Sequence, residues 1–192
     1  MSNVHPDASD PSRQLLLDTN VVIDLLKLDA LPVVAQLQPY TLLIVAEVKA
    51  ELVRPDQAET LEHLIEGGAI REVALESIEE QAQFAKLLEV VGKGEAACLA
   101  IAHHRGTLIA SDETHRALMR EIRRLVGEDH LVRTAALLAE TIGAQLTTLD
   151  QLERRVAELT ERATGARDRD DVQHLARVLD RVRGHLRAGG PP

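Results

Sequence analysis

The chain is poor in aromatics: Tyr40 and Phe84 are the only two in 192 residues, and there is no Trp. Proteins that hold single strands by stacking need several aromatic platforms, so that binding mode is excluded. The core must instead be built from Leu, Val, Ile and Ala. Cysteine is nearly absent as well. Cys98 stands alone, which rules out an intramolecular disulfide and a cysteine-cluster zinc site and fits a reducing cytosol. No apolar run approaches the ~20 residues needed to cross a bilayer. The stretch from Met1 to Gln14 is polar, carries two prolines, and lacks the apolar region of a signal peptide. A soluble, cytoplasmic protein with no membrane segment is expected. Its 45% hydrophobic and 28% charged residues are enough for a packed core, in one domain with an extension or at most two small domains.

Positive charge is also scarce. The net charge is −9, which argues against a general nucleic-acid-binding surface. The distribution is uneven: residues 1–150 hold 13 Lys and Arg against 24 Asp and Glu, and residues 151–192 hold 9 against 7. An acidic body is either a solvated surface or the host of a carboxylate cluster neutralised by metal ions.

Residues 1–13 read as a flexible arm. Short strands are predicted at Leu15–Leu17, Thr41–Val45, Ile70–Leu75, Leu108–Ala110 and Leu131–Arg133. Helices are predicted between them: Val21–Leu28 with Asn20 as its cap, Glu47–Leu52, Gln57–Glu66, Ser77–Val91, Glu95–Arg105, Thr114–Val126, and Ala135–Ile142 capped by Thr134. Ser77 and Glu80 form a capping-box pattern, and Gly92-Lys93-Gly94 reads as a tight turn. Two amphipathic helices, Leu149–Ala163 and Asp170–Leu186, follow, with a frayed tail from Gly189. Strands alternating with helices imply an α/β fold with a mostly parallel sheet, whose ligands sit at the carboxyl ends of strands near a topological switch point.

That rule draws attention to four acids. Asp18 ends the Leu15–Leu17 strand, and Asp112 follows Leu108–Ala110 after Ser111. Glu51 lies on the helix after Thr41–Val45, and Glu95 lies in the first turn after Gly92-Lys93-Gly94. If they converge, about four negative charges share a small space, and some must protonate unless cations enter. Hard divalent ions such as Mg²⁺ or Mn²⁺ suit such oxygen donors.

The setting of these acids resembles the PIN-domain nucleases, including the toxin ribonucleases of that family. The opening Leu15-Leu16-Leu17-Asp18-Thr19-Asn20-Val21-Val22-Ile23-Asp24 is similar to the family's first block. Ile44-Val45-Ala46-Glu47-Val48-Lys49-Ala50-Glu51-Leu52 is similar to the second, Gly92 through Ala102 to the third, and Leu108-Ile109-Ala110-Ser111-Asp112 to the fourth. The resemblance covers residues 14–145 and leaves 146–192 as a helical extension that the motifs do not explain. It implies a three-layer α/β/α domain and metal-dependent hydrolysis of RNA phosphodiesters. It also implies Mg²⁺ or Mn²⁺ as cofactor and a toxin–antitoxin setting, with a homodimer inhibited by a small antitoxin protein. On this reading Asp18, Glu95 and Asp112 bind metal, and Glu51 ligates it or supports a ligand. Asn20 positions water or substrate. Arg116 and Arg120, with Arg123 and Arg124 on the same helix face, track the RNA backbone.

Plainer readings stand beside these. Asp18 and Asp112 could cap helices and Glu95 could complement a helix dipole; Glu47, one turn before Glu51, could share its face; and the arginine stripe could be a solvated face paired with Glu121. Asp24 reads as a surface or supporting residue. His103 and His104 are adjacent and cannot share a metal on a helix, and Cys98 reads as a small buried residue. The C-terminal apolar stripes fit a hairpin packed on the body or a partner interface. An aspartyl-phosphate phosphatase would need a second Asp where Asn20 stands. A catalytically silent RNA- or protein-binding PIN-like module is the remaining alternative.

Overall fold

The computed structural model describes residues 13–188. Apart from Arg13, the arm expected at 1–13 and the tail from Gly189 lie outside the described residues. Five strands form one sheet: β1 (Arg13–Leu17), β2 (Tyr40–Val45), β3 (Ile70–Val73), β4 (Leu108–Ala110) and β5 (Leu131–Val132). Their order is β3-β2-β1-β4-β5, and every pairing is parallel. Leu15, Leu16 and Leu17 are fully buried. Consecutive burial of this kind means that both faces of the central strand are covered, which is why it reads as an unbroken apolar run.

Among the described residues ten α-helices complete the three-layer α/β/α domain: α1 (Thr19–Lys27), α2 (Leu31–Val34), α3 (Ala46–Glu51), α4 (Pro55–Glu66), α5 (Ile78–Leu87), α6 (Lys93–Arg105), α7 (Arg116–Leu125), α8 (Thr134–Gly143), α9 (Leu149–Arg162) and α10 (Ala166–Arg187). α6 packs with α3, α5 and α7, whereas α8 packs with α1, α2 and α10. The Ala-rich run of α6, from Ala96 to Ala102, is buried throughout, and Gly106 ends the helix in the left-handed conformation (φ 68°). Among the described residues no helix is long and apolar enough to cross a membrane.

Several boundaries differ from the sequence expectations. α1 begins at Thr19, and Asp18, not Asn20, is its N-cap. The carboxylate that ends β1 therefore also starts the next helix. Gly94 lies inside the first turn of α6, not in a turn before it. Thr134 is the first residue of α8, and Arg133 occupies the cap position. α2 is only four residues long, too short to show a helical period. The capping box at Ser77 and Glu80 is present. Glu80 additionally accepts from Arg105 Nε (2.6 Å) and Nη2 (2.9 Å).

The C-terminal stripes are covered by the chain itself. Leu152 and Val156 of α9 are buried, as are Leu175, Val178, Leu179 and Val182 of α10. Burying each of these side chains contributes roughly 1.5–3 kcal/mol. Polar ties hold the pair to α1. Arg155 Nε donates to Lys27 O (3.0 Å), Lys27 Nζ meets Asp171 (2.8 Å), and His174 Nε2 lies 2.7 Å from Asp24 Oδ2. α10 is thereby set against the helix that leaves the end of β1.

Candidate active site and metal centre

Chain order reverses between β1 and β4. From β1 the sheet grows to β2 and β3 on one side, and to β4 and β5 on the other. A crevice forms beyond the strand ends at such a point, and Asp18 and Asp112 leave β1 and β4 there. Asp18 N donates to Ala110 O (3.1 Å), which continues the β1–β4 pairing to the edge of the crevice.

Asp18 is only 2% exposed. Its Oδ1 accepts from Thr19 N (2.8 Å), and its Oδ2 accepts from the Ser111 hydroxyl (3.1 Å). Burial and the nearby Glu95 charge push its carboxyl up to about 7. The Ser111 and Thr19 hydrogen bonds oppose this, and Glu51 adds to it. Glu51 comes from the last residue of α3. It accepts from the Thr19 hydroxyl and from Gly94 N (3.1 Å). A side chain at Gly94 would place its Cβ 2.9 Å from Thr19 Oγ1 and 3.2 Å from Glu51 Oε2. Glycine here lets α6 approach α1 and α3 closely enough to hold Glu51.

Glu95, in the first turn of α6, turns one oxygen back to Gly92 N (3.0 Å). Burial raises its carboxyl above the usual range. The Gly92 N–H opposes that, and the charges of Glu113 and Glu51 add to it. The dipole reading is thus satisfied alongside the clustering: Glu95 caps its helix and still lies among the acids.

Asp112 is fastened from the next strand–helix junction. Its Oδ1 accepts from Thr134 N (3.1 Å). Arg133 Nη1 donates to Ser111 O and Glu113 O, each at 2.9 Å, and so clamps the carbonyls on either side of Asp112. The other oxygen, Asp112 Oδ2, is buried and has no hydrogen-bond partner among the described residues. A buried carboxylate oxygen without a donor is costly, and a cation would satisfy it. The donor set is all oxygen and carries excess negative charge, so these residues fit a hard divalent ion.

Asp18, Glu51 and Glu95 act on one another electrostatically. Asp112 is charge-coupled to Asp24. Among the described residues, the set whose ligand atoms all lie within 4.8 Å of one another is Asp24, Asp112 and His174. Asp24 reads from sequence as a surface or supporting residue, and no local signal marks His174 or Arg133 as part of a site. Asn20 is exposed and lines the same cleft as Asp24, Asp112 and His174. Of the arginine stripe, Arg124 is engaged by Glu121 (2.6 Å) and Arg123 by Glu128 (2.5 Å). Arg116 and Arg120 are exposed, the latter 3.7 Å from Glu121. His103 bonds the Leu125 carbonyl (2.8 Å), and buried Cys98 points its thiol at Leu17 O.

A family model described as a PIN domain matches residues 14–162, from within β1 to the last residue of α9, and leaves α10 outside. Searches of curated proteins and of solved structures returned no match. The parallel sheet, the switch-point carboxylates and the extent of the family match lead to one assignment: the chain belongs to the PIN-domain family.

Proposed function

We propose that the protein is a metal-dependent endoribonuclease that hydrolyses RNA phosphodiester bonds with Mg²⁺ or Mn²⁺. The observation that carries this reading is the group of three carboxylates, Asp18, Glu51 and Glu95, delivered by three separate elements into one neighbourhood, where burial and mutual repulsion raise the proton affinity of Asp18 and Glu95. Such a site favours the arrival of a cation.

Asp18, Glu95 and Asp112 would hold the ion. When bound, it would lower the pKa of water, neutralise phosphate oxygens and stabilise the leaving oxygen. The chain's own groups do the positioning. Ser111 and Thr19 N orient the two Asp18 oxygens. Thr19 Oγ1 and Gly94 N fix Glu51. Arg133 and Thr134 N hold Asp112 in place. Glu95 orients water at the edge of the group, Asn20 positions substrate in the cleft, and Arg116 and Arg120 attract the RNA backbone.

The physiological reading that accompanies this is a cytoplasmic toxin of a toxin–antitoxin pair, a homodimer inhibited by a small protein. It rests on the family resemblance. A neighbouring open reading frame whose product relieves growth arrest would support it; absence of arrest on expression would oppose it. For the chemistry, a mixed RNA pool should be cut with Mg²⁺ or Mn²⁺, spared with chelator, and cut again when Mn²⁺ is restored. RNA bound tightly but never cut with any metal would favour the silent binding module.

A further inference from the structure

α10 lies beyond the family match, yet it reaches the cleft. His174, Arg167 and Asp171 line one wall of a cavity of about 400 Å³, opposite Asn20, Asp24 and Asp112. Within it Asp24 is 5% exposed, and its Oδ2 lies 2.7 Å from His174 Nε2.

A latch for α10 would need only His174 and Asp24, and the Lys27–Asp171 pair (2.8 Å) already serves that end. A latch does not account for Asp112. Among the described residues its buried Oδ2 has no donor, and its ligand oxygen lies within 4.8 Å of one on Asp24. Two carboxylates beside an imidazole, one with an unsatisfied buried oxygen, form a donor set seeking a cation. The ligand atoms of all three residues fall within 4.8 Å of one another. Donors about 2.1 Å from one ion stand roughly 3–4 Å apart, so side-chain rotation closing the set by at most about 2 Å would seat an ion.

We propose that Asp24, Asp112 and His174 form a mixed oxygen–nitrogen metal site, in which α10 supplies an imidazole ligand to a first-row divalent ion such as Mn²⁺. Imidazole suits Zn²⁺ and other first-row transition ions, and the two carboxylates also admit Mn²⁺. For Nε2 to ligate, the neutral imidazole must carry its N–H on Nδ1, so the ion takes the place of the His174–Asp24 hydrogen bond. The site shares Asp112 with the proposed nuclease centre but is a binding claim that stands without it. It also gives the C-terminal helix a purpose: the helix completes a coordination sphere that the matched domain leaves open.

The test is pulsed EPR on the full chain loaded with substoichiometric Mn²⁺, together with Mn²⁺ titration. Wild type should show ¹⁴N modulation from an imidazole ligand. Asp18→Asn should retain it even if cleavage is lost. His174→Gln should lose it and weaken Mn²⁺ binding at that site at least tenfold, and Asp24→Asn should weaken it similarly. Absence of ¹⁴N modulation in wild type overturns the proposal even if a variant fails to fold. So does modulation that persists unchanged in His174→Gln. Mn²⁺ bound through His174 without any RNA cleavage would leave this site standing and remove the nuclease reading.

Discussion

Replacing Asp18 by Asn should stabilise the metal-free protein while disabling it. The Asp18 carboxyl is raised from 3.8 to about 7. A raised carboxyl means that the folded state holds its proton more tightly than the unfolded chain does. Its contribution to stability is therefore complete below about pH 4 and is lost as pH rises through about 7. A rise of about three pKa units, at 1.36 kcal/mol each, sets an upper limit of about 4 kcal/mol for this penalty at pH 8. Asn has nearly the same shape and carries no charge. Its oxygen can still accept from Thr19 N, and the Ser111 hydroxyl can rotate to accept from the amide. In chelator at pH 8 the variant should be about 2–4 kcal/mol more stable, which is roughly 5–12 °C in Tm for a chain of this size. At pH 4.5 the advantage should shrink to about 1 kcal/mol. Saturating Mn²⁺ should stabilise wild type by about 3 kcal/mol at a hundred times Kd and the variant by much less. Denaturant melts at the two pH values measure all of this. A variant no more stable than wild type at pH 8, or an advantage independent of pH, would refute the reasoning.

Other perturbations test the supports. Gly94→Ala places a methyl 2.9 Å from Thr19 Oγ1 and 3.0 Å from Val48 Cγ2; it should cost about 1–3 kcal/mol in urea melts and lower cleavage by displacing Glu51. Arg133→Met removes the clamp on the Ser111 and Glu113 carbonyls; kcat should fall roughly 10–100-fold with KM little changed, and Arg133→Lys should recover part of it. A fall confined to KM would contradict a positioning role. Burial works to raise the Glu80 carboxyl, but Arg105 and the Glu76 and Ser77 N–H groups hold it down to about 2. Its stabilising effect is present above about pH 4.5 and lost as pH falls towards 2. Glu80→Gln should cost about 3 kcal/mol at pH 7 and less at pH 3 by chemical denaturation.

The parts of the fold that were legible in the sequence share a cause. Leu15–Leu17 and Leu108–Ala110 are buried on both faces, so they appear as apolar runs, and each stops at the residues that leave the sheet. This made Asp18 and Asp112 visible as strand-end acids. The period of α9 and α10 was visible because one face of each is buried. What was hidden depends on tertiary placement. His174 meets Asp24 across 150 residues, and nothing local to either announces the contact. Arg133 looked like the end of a strand, and only the packing of β5 beside β4 turns it towards the Asp112 loop. Asn20 was misread as a cap because Asp18 performs two tasks, ending β1 and capping α1. Gly94 looked like a turn because its reason for being glycine lies on other elements, at Thr19 and Glu51.

The central claim is tested most directly by cleavage of a mixed RNA pool with Mn²⁺, comparing wild type with Asp18→Asn and Asp112→Asn, each shown to be folded. Wild type should cut in a metal-dependent way, and both variants should lose at least a hundredfold. Full cutting by either variant, or cutting by wild type that chelator leaves untouched, would contradict the claim.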